Sequence, residues 1–275
     1  MDWLQAMVLG IVEGVTEYLP VSSTGHLILT QRMMKIPASQ AADAYAICIQ
    51  AGAILAVLGL YWPQVKEMIL GLFGKSSQGL ALAINIIVAF LPAAVIGVLF
   101  DAAIEEYLFG LWPIIAAWFV GGVAIILYTR WRPMHKNGAA DSGSDLTTLN
   151  WRMALTIGFA QCLAMWPGTS RSLVTILAGC LVGLSLSSAV EFSFLLGVVT
   201  LTAATGFKAV HGGLAMVHAY GWNTMLIGFA FATVSAAVAV KWMVSYLNRH
   251  SLVIFGIYRV ALAVVATLMV GSFMS

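Results

Sequence analysis

Glu13 and Glu17 stand one helical turn apart in the apolar stretch Trp3–Leu19, and Pro20-Val21-Ser22-Ser23-Thr24-Gly25-His26 follows at once. At a constant offset of 148 positions, the separation of Glu13 from Gln161, the pattern recurs as Gln161-Cys-Leu-Ala-Met-Trp-Pro167-Gly168-Thr169-Ser170-Arg171-Ser172. Tyr18 then falls on Trp166, Ser22 on Ser170, Ser23 on Arg171 and Thr24 on Ser172. Hydroxyls, carboxylates and a guanidinium are expensive in lipid, so two such turns in a greasy chain mark where chemistry is done.

Each residue type limits that chemistry. Residues at i and i+4 share a helix face, so Glu13 and Glu17 project together. An unpaired carboxylate at bilayer depth costs about 2.5–3.5 kcal/mol, which calls for a cation: Mg²⁺ or Ca²⁺, both oxygen-seeking, or an arginine. The plainer alternative is a glutamate pair at an aqueous rim. Ser22, Ser23 and Thr24 open a second helical arm as caps, which aims free N–H groups and the positive dipole end at an anion such as phosphate. His26, three residues after Ser23, is a candidate general base or nucleophile. Zinc is poorly supported, because no second histidine or cysteine lies at ligand spacing. Arg171 keeps its charge at any working pH and needs an anion. It reads either as a structural ion pair with Glu13 or Glu17, or as a bidentate clamp on phosphate with Ser170, Ser172 and Thr175 as further donors. One cavity holding all of these would be equipped to hydrolyse a phosphoanhydride on a membrane-bound substrate.

The elements that must position these residues are apolar helices. The 275-residue chain is 61% hydrophobic and 9% charged, with a mean hydropathy of +0.96. That excess predicts an all-α polytopic membrane protein. The N-terminus lacks a basic n-region and its first apolar segment carries two glutamates, so it reads as mature structure and not a signal peptide. No basic cluster suggests nucleic acid. Cys48, Cys162 and Cys180 lie in apolar stretches and read as small buried hydrophobes.

About six transmembrane helices are predicted, near Ala44–Trp62, Leu80–Phe100, Trp112–Tyr128, Ser188–Phe207, Trp222–Tyr246 and Leu252–Phe273. Trp3–Met34 and Trp151–Leu184 are broken midway by Pro, Gly and Ser/Thr, leaving arms too short to cross about 30 Å of hydrocarbon. Both read as re-entrant helical hairpins, tolerable only inside protein or along a wet cavity. The whole chain, 1–275, is thus one membrane domain of two pseudo-repeats, 1–130 and 151–275, joined by a polar linker, 131–150. One hairpin plus three spans per repeat gives an inverted-topology repeat. Loop charges put Lys66, Lys75, Arg130, Arg132, Lys136, Arg152, Lys241 and Arg249 inside, and a loop with Asp101, Glu105 and Glu106 outside, against which Lys208 is a contrary charge. Asp43 and Glu191 correspond at the same offset as supporting polar groups, while Gln50 and Arg259 read as polar residues facing the bundle interior.

The strings Glu13-Gly-Val-Thr-Glu17-Tyr-Leu-Pro-Val-Ser-Ser-Thr-Gly-His26 and Pro167-Gly-Thr-Ser-Arg-Ser172 resemble the two signature motifs of the bacitracin-resistance type undecaprenyl-diphosphate phosphatases. Ile49-Gln50-Ala-Gly52, Glu191-Phe-Ser-Phe-Leu195 and Ile257-Tyr258-Arg259 add to a resemblance that runs over essentially the whole chain. The resemblance implies cleavage of undecaprenyl diphosphate to undecaprenyl phosphate and inorganic phosphate, which recycles the wall-polymer lipid carrier and confers bacitracin resistance. It implies a divalent metal, Mg²⁺ or Ca²⁺, and a multi-pass protein of the bacterial inner membrane whose site opens to the periplasm. By motif position Glu13 and Glu17 fall in the acidic metal and catalytic motif, and Ser22, Ser23, Thr24 and His26 in the hydroxyl–histidine motif. Ser170, Arg171, Ser172 and Thr175 fall in the phosphate-binding motif. Leu173 stands where the family usually has Gly, and Asp43 where Glu is common.

The expected mechanism is attack on the terminal phosphorus by Ser23, with His26 as its base, Glu17 orienting it, and metal and Arg171 neutralising charge. Attack by His26 or by a metal-bound water is open on the sequence. A polyprenyl-phosphate transporter or flippase is the rival reading, since inverted repeats with broken helices are transporter architecture. A type-2 phosphatidic acid phosphatase needs a histidine soon after its Ser-Arg pair; here the next is His211, which removes that reading. The expected partner is a polyprenyl diphosphate lipid, with a homodimer as a further expectation.

Overall fold

The computed structural model describes residues 1–37, 39–108, 110–131 and 143–274. Its regular elements are helices: α1 (Trp3–Thr16), α2 (Ser23–Met33), α3 (Gln40–Leu60), α4 (Trp62–Leu72), α5 (Ser77–Leu108), α6 (Leu111–Trp131), α7 (Trp151–Gln161), α8 (Arg171–Leu181), α9 (Leu186–Leu247) and α10 (Val253–Met274). Short 3-10 turns at Leu146–Thr148 and Cys162–Met165 complete them. The all-α polytopic expectation holds.

The two broken regions fold as helix–break–helix pairs, and their boundaries keep the sequence offset. α1 begins at Trp3 and α7 at Trp151; α2 spans Ser23–Met33 and α8 spans Arg171–Leu181. Asp2 caps α1 by accepting from Gln5 N, and Asn150 caps α7 by accepting from Arg152 N and Met153 N. Matching N-caps start the first arms at matching places because both satisfy N–H groups that a helix start leaves open.

Among the described residues four helical stretches are long and apolar enough to cross a membrane: Ser77–Phe100, Leu111–Trp131 and, within α9, which is kinked at non-helical Gly221, Leu186–Gly206 and Ala219–Leu247. A fifth exists if the bent pair Ala44–Leu60 and Trp62–Leu72 is one span. The expected span Ala44–Trp62 therefore ends in an 82° bend at Tyr61, where Pro63 sits in the first turn of α4 and cannot continue α3. Lys66 lies on α4 rather than in a loop. The apolar part of the last expected span, Leu252–Phe273, runs Val253–Met269 among the described residues, shorter than the others. The acidic loop after the second span is likewise corrected: backbone 101–108 continues α5 as helix. Ala, Ile, Glu and Leu there are good helix formers, and no Gly or Pro interrupts them. The side chains of Asp43, Asp101, Glu105, Glu106, Lys208 and His211, and linker residues 132–142 with Arg132 and Lys136, lie outside the described residues.

The chain folds as two compact units, each drawing on both sequence repeats. One comprises Met1–Leu19, Ser23–Ile86 and Phe194–Trp242. Its core gathers Ala6, Leu9, Tyr45, Ile49, Met225 and Ala232. Glycines let backbones touch: a Cβ on Gly10 would strike the Gly228 carbonyl, and one on Gly14 would strike that of Ala232. Small residues at i and i+4 are the means by which helices approach in lipid, where there is no hydrophobic drive between them. Tyr45 donates to Ala6 O at 3.0 Å, and Thr205 donates to Gln50 Oε1 at 3.3 Å, so these two polar heads find their acceptors inside the unit.

The other unit comprises Pro20–Ser22, Ile87–Ser193 and Met243–Ser275. Here α6 and α10 pack through Gly122 against Gly256, and α7 packs on α5 through Gly158 against Ala89. Gly158 is the repeat partner of Gly10, so both hairpins seat their first arm by the same device. Trp166 donates its indole N–H to Pro113 O at 3.0 Å. The end of the linker is pinned to the second hairpin's exit: Ser144 N donates to Gly183 O at 2.9 Å and Ser185 N to Ser144 O at 3.0 Å. Leu91, Val98, Leu99, Phe159 and Leu268 are exposed, as residues facing lipid must be.

Gly158→Leu should lower unfolding stability in detergent by about 1–3 kcal/mol, since a Cβ would meet the Ala89 main chain. Phe159→Leu, at the exposed neighbour, should leave the thermal midpoint close to the parent. A thermal scan of both variants checks this.

Candidate functional site

Glu13 lies in the last turn of α1, and Glu17 follows as its C-cap, its N–H donating to Glu13 O at 2.9 Å. Both carboxylates are buried, 1% and 7% exposed. Ser23 is the first residue of α2, and its hydroxyl donates to Glu17 Oε2 at 2.5 Å. A hydroxyl that donates to an ionised carboxylate makes a charge-assisted hydrogen bond, stronger than one between neutral groups. The hydroxyl's single proton thus points at Glu17, the arrangement of a nucleophile and its base. His26 stands half-buried one turn further along α2, while Thr24 beside it is exposed. The sequence suggests His26 as the base with Glu17 orienting it; here the Glu17 carboxylate accepts directly from the Ser23 hydroxyl. Tyr18, next to Glu17 and fully buried, meets the Phe194 ring edge-on at 5.2 Å.

In the second unit, α7 gives way to a 3-10 turn and then to Gly168 at φ 95 before α8 begins at Arg171. Ser170 caps α8, accepting from Leu173 N at 3.3 Å, and its hydroxyl pairs with that of Ser172 at 3.0 Å. Arg171 is half-buried, and its Nη1 donates to Ser193 O at 3.1 Å. Thr175 and Ser172 are fully buried. The Thr175 hydroxyl is 2.6 Å from that of Ser193 and donates to Arg171 O at 2.8 Å. Thr175 and Ser193 therefore brace the helix turn and the guanidinium of Arg171 from below. Leu173, the departure from the family pattern, is a core residue at 3% exposure and leaves the cap intact.

Ser22 and Ser170, partners at the 148-residue offset, share a rare backbone state. Their φ values are 73° and 74°, in the left-handed region that non-glycine residues avoid. Holding each serine there costs on the order of 1–3 kcal/mol, a cost that recurs where geometry serves function. Glycine would be easier at both positions; serine keeps a hydroxyl at the mouth of each second arm.

Two residues matter more than sequence reasoning allowed. Ser193 was visible only as part of Glu191-Phe-Ser-Phe, with no sign that it meets Arg171 and Thr175. Arg259 was read as a polar residue facing inward; it is 0% exposed and donates to Pro20 O at 3.3 Å, Ala117 O at 2.8 Å and Gly168 O at 2.9 Å. The signal for it was an arginine inside an apolar helix, which has to find acceptors.

Two buried carboxylates one turn apart, with a hydroxyl beside them, form an all-oxygen donor set that fits a hard divalent cation. Among the described residues no group of three or more His, Cys, Asp or Glu converges. Remaining ligands would then come from water and a substrate phosphate, the habit of Mg²⁺.

A polytopic helical membrane protein with a carboxylate-bound serine on one broken helix and a braced arginine on another defines a class suited to phosphate chemistry. The sequence profile of the bacitracin resistance protein BacA family matches residues 6–265. An undecaprenyl-diphosphatase of Sorangium cellulosum is 43% identical over 263 residues, covering 95% of this chain and 84% of that protein. One from Methylococcus capsulatus is 42% identical over 265 residues, 96% and 93% of the two chains. Undecaprenyl-diphosphatase 2 of Rhodospirillum rubrum is 40% identical over 262 residues, 95% and 93%. The chain belongs to the BacA family.

Ser170→Gly should release the left-handed strain and raise the thermal midpoint, since a glycine cap loses only a few tenths of a kcal/mol against serine. Phosphate release should fall in the same variant if the hydroxyl serves the reaction. A midpoint scan beside a phosphate assay reads both directions at once.

Proposed function

We propose that this chain is an integral membrane phosphatase that converts undecaprenyl diphosphate and water to undecaprenyl phosphate and inorganic phosphate. It thereby recycles the lipid carrier for peptidoglycan synthesis and gives bacitracin resistance. The observation that carries the reading is the Ser23–Glu17 pair, a buried hydroxyl already donating to a carboxylate. The relatives' name, undecaprenyl-diphosphatase, supplies the substrate class.

In this reading Glu17 takes the proton of Ser23 as its Oγ bonds to the terminal phosphorus. The bridging P–O bond breaks and undecaprenyl phosphate leaves. Water then attacks the phosphoserine, releasing inorganic phosphate and returning the proton to Ser23. Arg171, braced by Ser193, offers its planar guanidinium to the phosphate oxygens, with the hydroxyls of Ser170 and Ser172 beside it. Ser22 and Thr24 offer N–H or hydroxyl donors at the start of α2, and His26 serves as a proton carrier for the second step. Glu13 and Glu17 would hold Mg²⁺ or Ca²⁺, which neutralises phosphate charge when bound. The site opens to the periplasmic face of the inner membrane, and the two pseudo-repeats, 1–130 and 151–275, descend from one inverted unit. The transporter alternative has symmetry alone in its favour.

The test is phosphate release from undecaprenyl or farnesyl diphosphate by purified protein. One phosphate per lipid monophosphate is expected, abolished by EDTA and restored by Mg²⁺ or Ca²⁺; no release under any metal condition would end the reading. Ser23→Ala and Glu17→Gln should each cost turnover heavily and to a similar degree, the double variant scarcely more, because the pair acts as a unit. Arg171→Lys should lose at least about tenfold in turnover, roughly 1.4 kcal/mol, as the planar fork is gone while the charge stays.

A further inference from the structure

We infer that Arg259 is a positioning residue for this phosphatase chemistry: its guanidinium sets the backbone of both serine turns. The inference rests on the proposed function for what the turns do, and on geometry for how they are held.

Arg259 lies on α10, far in sequence from either hairpin, and is fully buried. Its Nη1 donates to the carbonyl of Pro20 and its Nη2 to those of Gly168 and Ala117. Pro20 is two residues before Ser22, and Gly168 is two residues before Ser170. The anchored carbonyls thus stand at the same step of the repeat, each just ahead of a serine forced to positive φ. A left-handed serine persists only where its surroundings over-determine it. One rigid planar fork gripping both carbonyls supplies such over-determination at both turns together, and the third bond, to Ala117, fixes the fork to α6.

Unwound turns are also where carbonyls lose their helical partners. In a lipid-embedded protein those carbonyls need donors from within the chain. Among the described residues every hydrogen bond of Arg259 goes to a main-chain carbonyl. α6 makes room for the head group with Gly121, where a Cβ would collide with Nη2 and lie 2.8 Å from Cζ. An arginine buried as a simple helix–helix tie would have no reason to choose the two turn carbonyls in matching register. The residues immediately downstream are Ser22-Ser23 and Ser170-Arg171, so a slip of either carbonyl moves a hydroxyl or the guanidinium of Arg171.

Two variants test the inference, with farnesyl diphosphate and Mg²⁺ as the assay and wild type as the reference. R259K keeps the charge but cannot bridge three carbonyls from one planar group. G121A keeps the arginine and adds one methyl where its Nη2 lies. Each is purified as folded protein by size exclusion, scanned thermally, and assayed for kcat and KM. The expected result is at least thirtyfold loss of kcat per folded molecule in both, with KM within about threefold of wild type. G121A/R259K should be no worse than R259K, since both act through one fork. Wild-type kcat in folded R259K or folded G121A overturns the inference, as does a pure lowering of the thermal midpoint. Failure of both variants to yield folded protein also overturns it, making Arg259 a folding residue only. Absence of hydrolysis by wild type would instead strike the proposed function, so the two failures are distinguishable.

Discussion

Unwound backbone inside an apolar protein needs partners for its carbonyls, and the rest of this structure depends on how that need is met. A lipid-embedded chain has no water to satisfy open turns, so ordinary spans stay helical throughout. Here the turns before α2 and α8 are both open, and the carbonyls of Pro20 and Gly168 share one guanidinium, that of Arg259. The exchange is favourable on two counts. Arg259 is a buried cation that would otherwise be costly in an apolar helix, and the carbonyls would otherwise be unsatisfied. Removing one side of such an arrangement leaves the other exposed to the full penalty.

That arrangement accounts for polar chemistry in a chain so greasy. Glu17 and Ser23 lie on opposite sides of one open turn, which is why a residue from the end of α1 can meet one from the start of α2. A continuous helix would put residues six apart on different faces. In the second hairpin the break frees Arg171 to begin α8, where Ser193 of α9 takes one of its N–H groups and Thr175 stiffens the turn beneath. The left-handed serines are the visible strain of building hydroxyls into these turns rather than glycines.

Much of this was legible in the sequence. The hairpins were readable because Pro20 and Pro167-Gly168 interrupt apolar runs, and the repeat because Trp3 and Trp151, and Ser22 and Ser170, keep one offset through helix starts and backbone torsions alike. The apolar helices were readable from composition. The bend at Tyr61 was less so: an apolar run conceals it, and only Pro63 hints that α3 must stop. The extension of α5 past Phe100 was misjudged because acidic residues suggested a loop, although Glu, Ala and Leu favour helix as readily as they favour water. Arg259 was legible as an inward-facing polar residue, but its acceptors and the partners of Ser193 were not, since Ser193 lies 22 residues from Arg171 and Arg259 lies 91 from Gly168, and both contacts depend on tertiary packing. The direct contact of Ser23 with Glu17 was legible only as an orienting role for Glu17. Glu17 lies six residues before Ser23, and only the open turn between them brings its carboxylate to the hydroxyl.

The central claim is that Ser23, through Glu17, carries the phosphoryl group. Rapid quenching of purified protein within the first turnover, with substrate labelled in its terminal phosphate, addresses it directly. An acid-stable phosphate mapped by peptide mass spectrometry to Ser23 is the result this account predicts. An acid-labile, base-stable phosphate on His26 would contradict it.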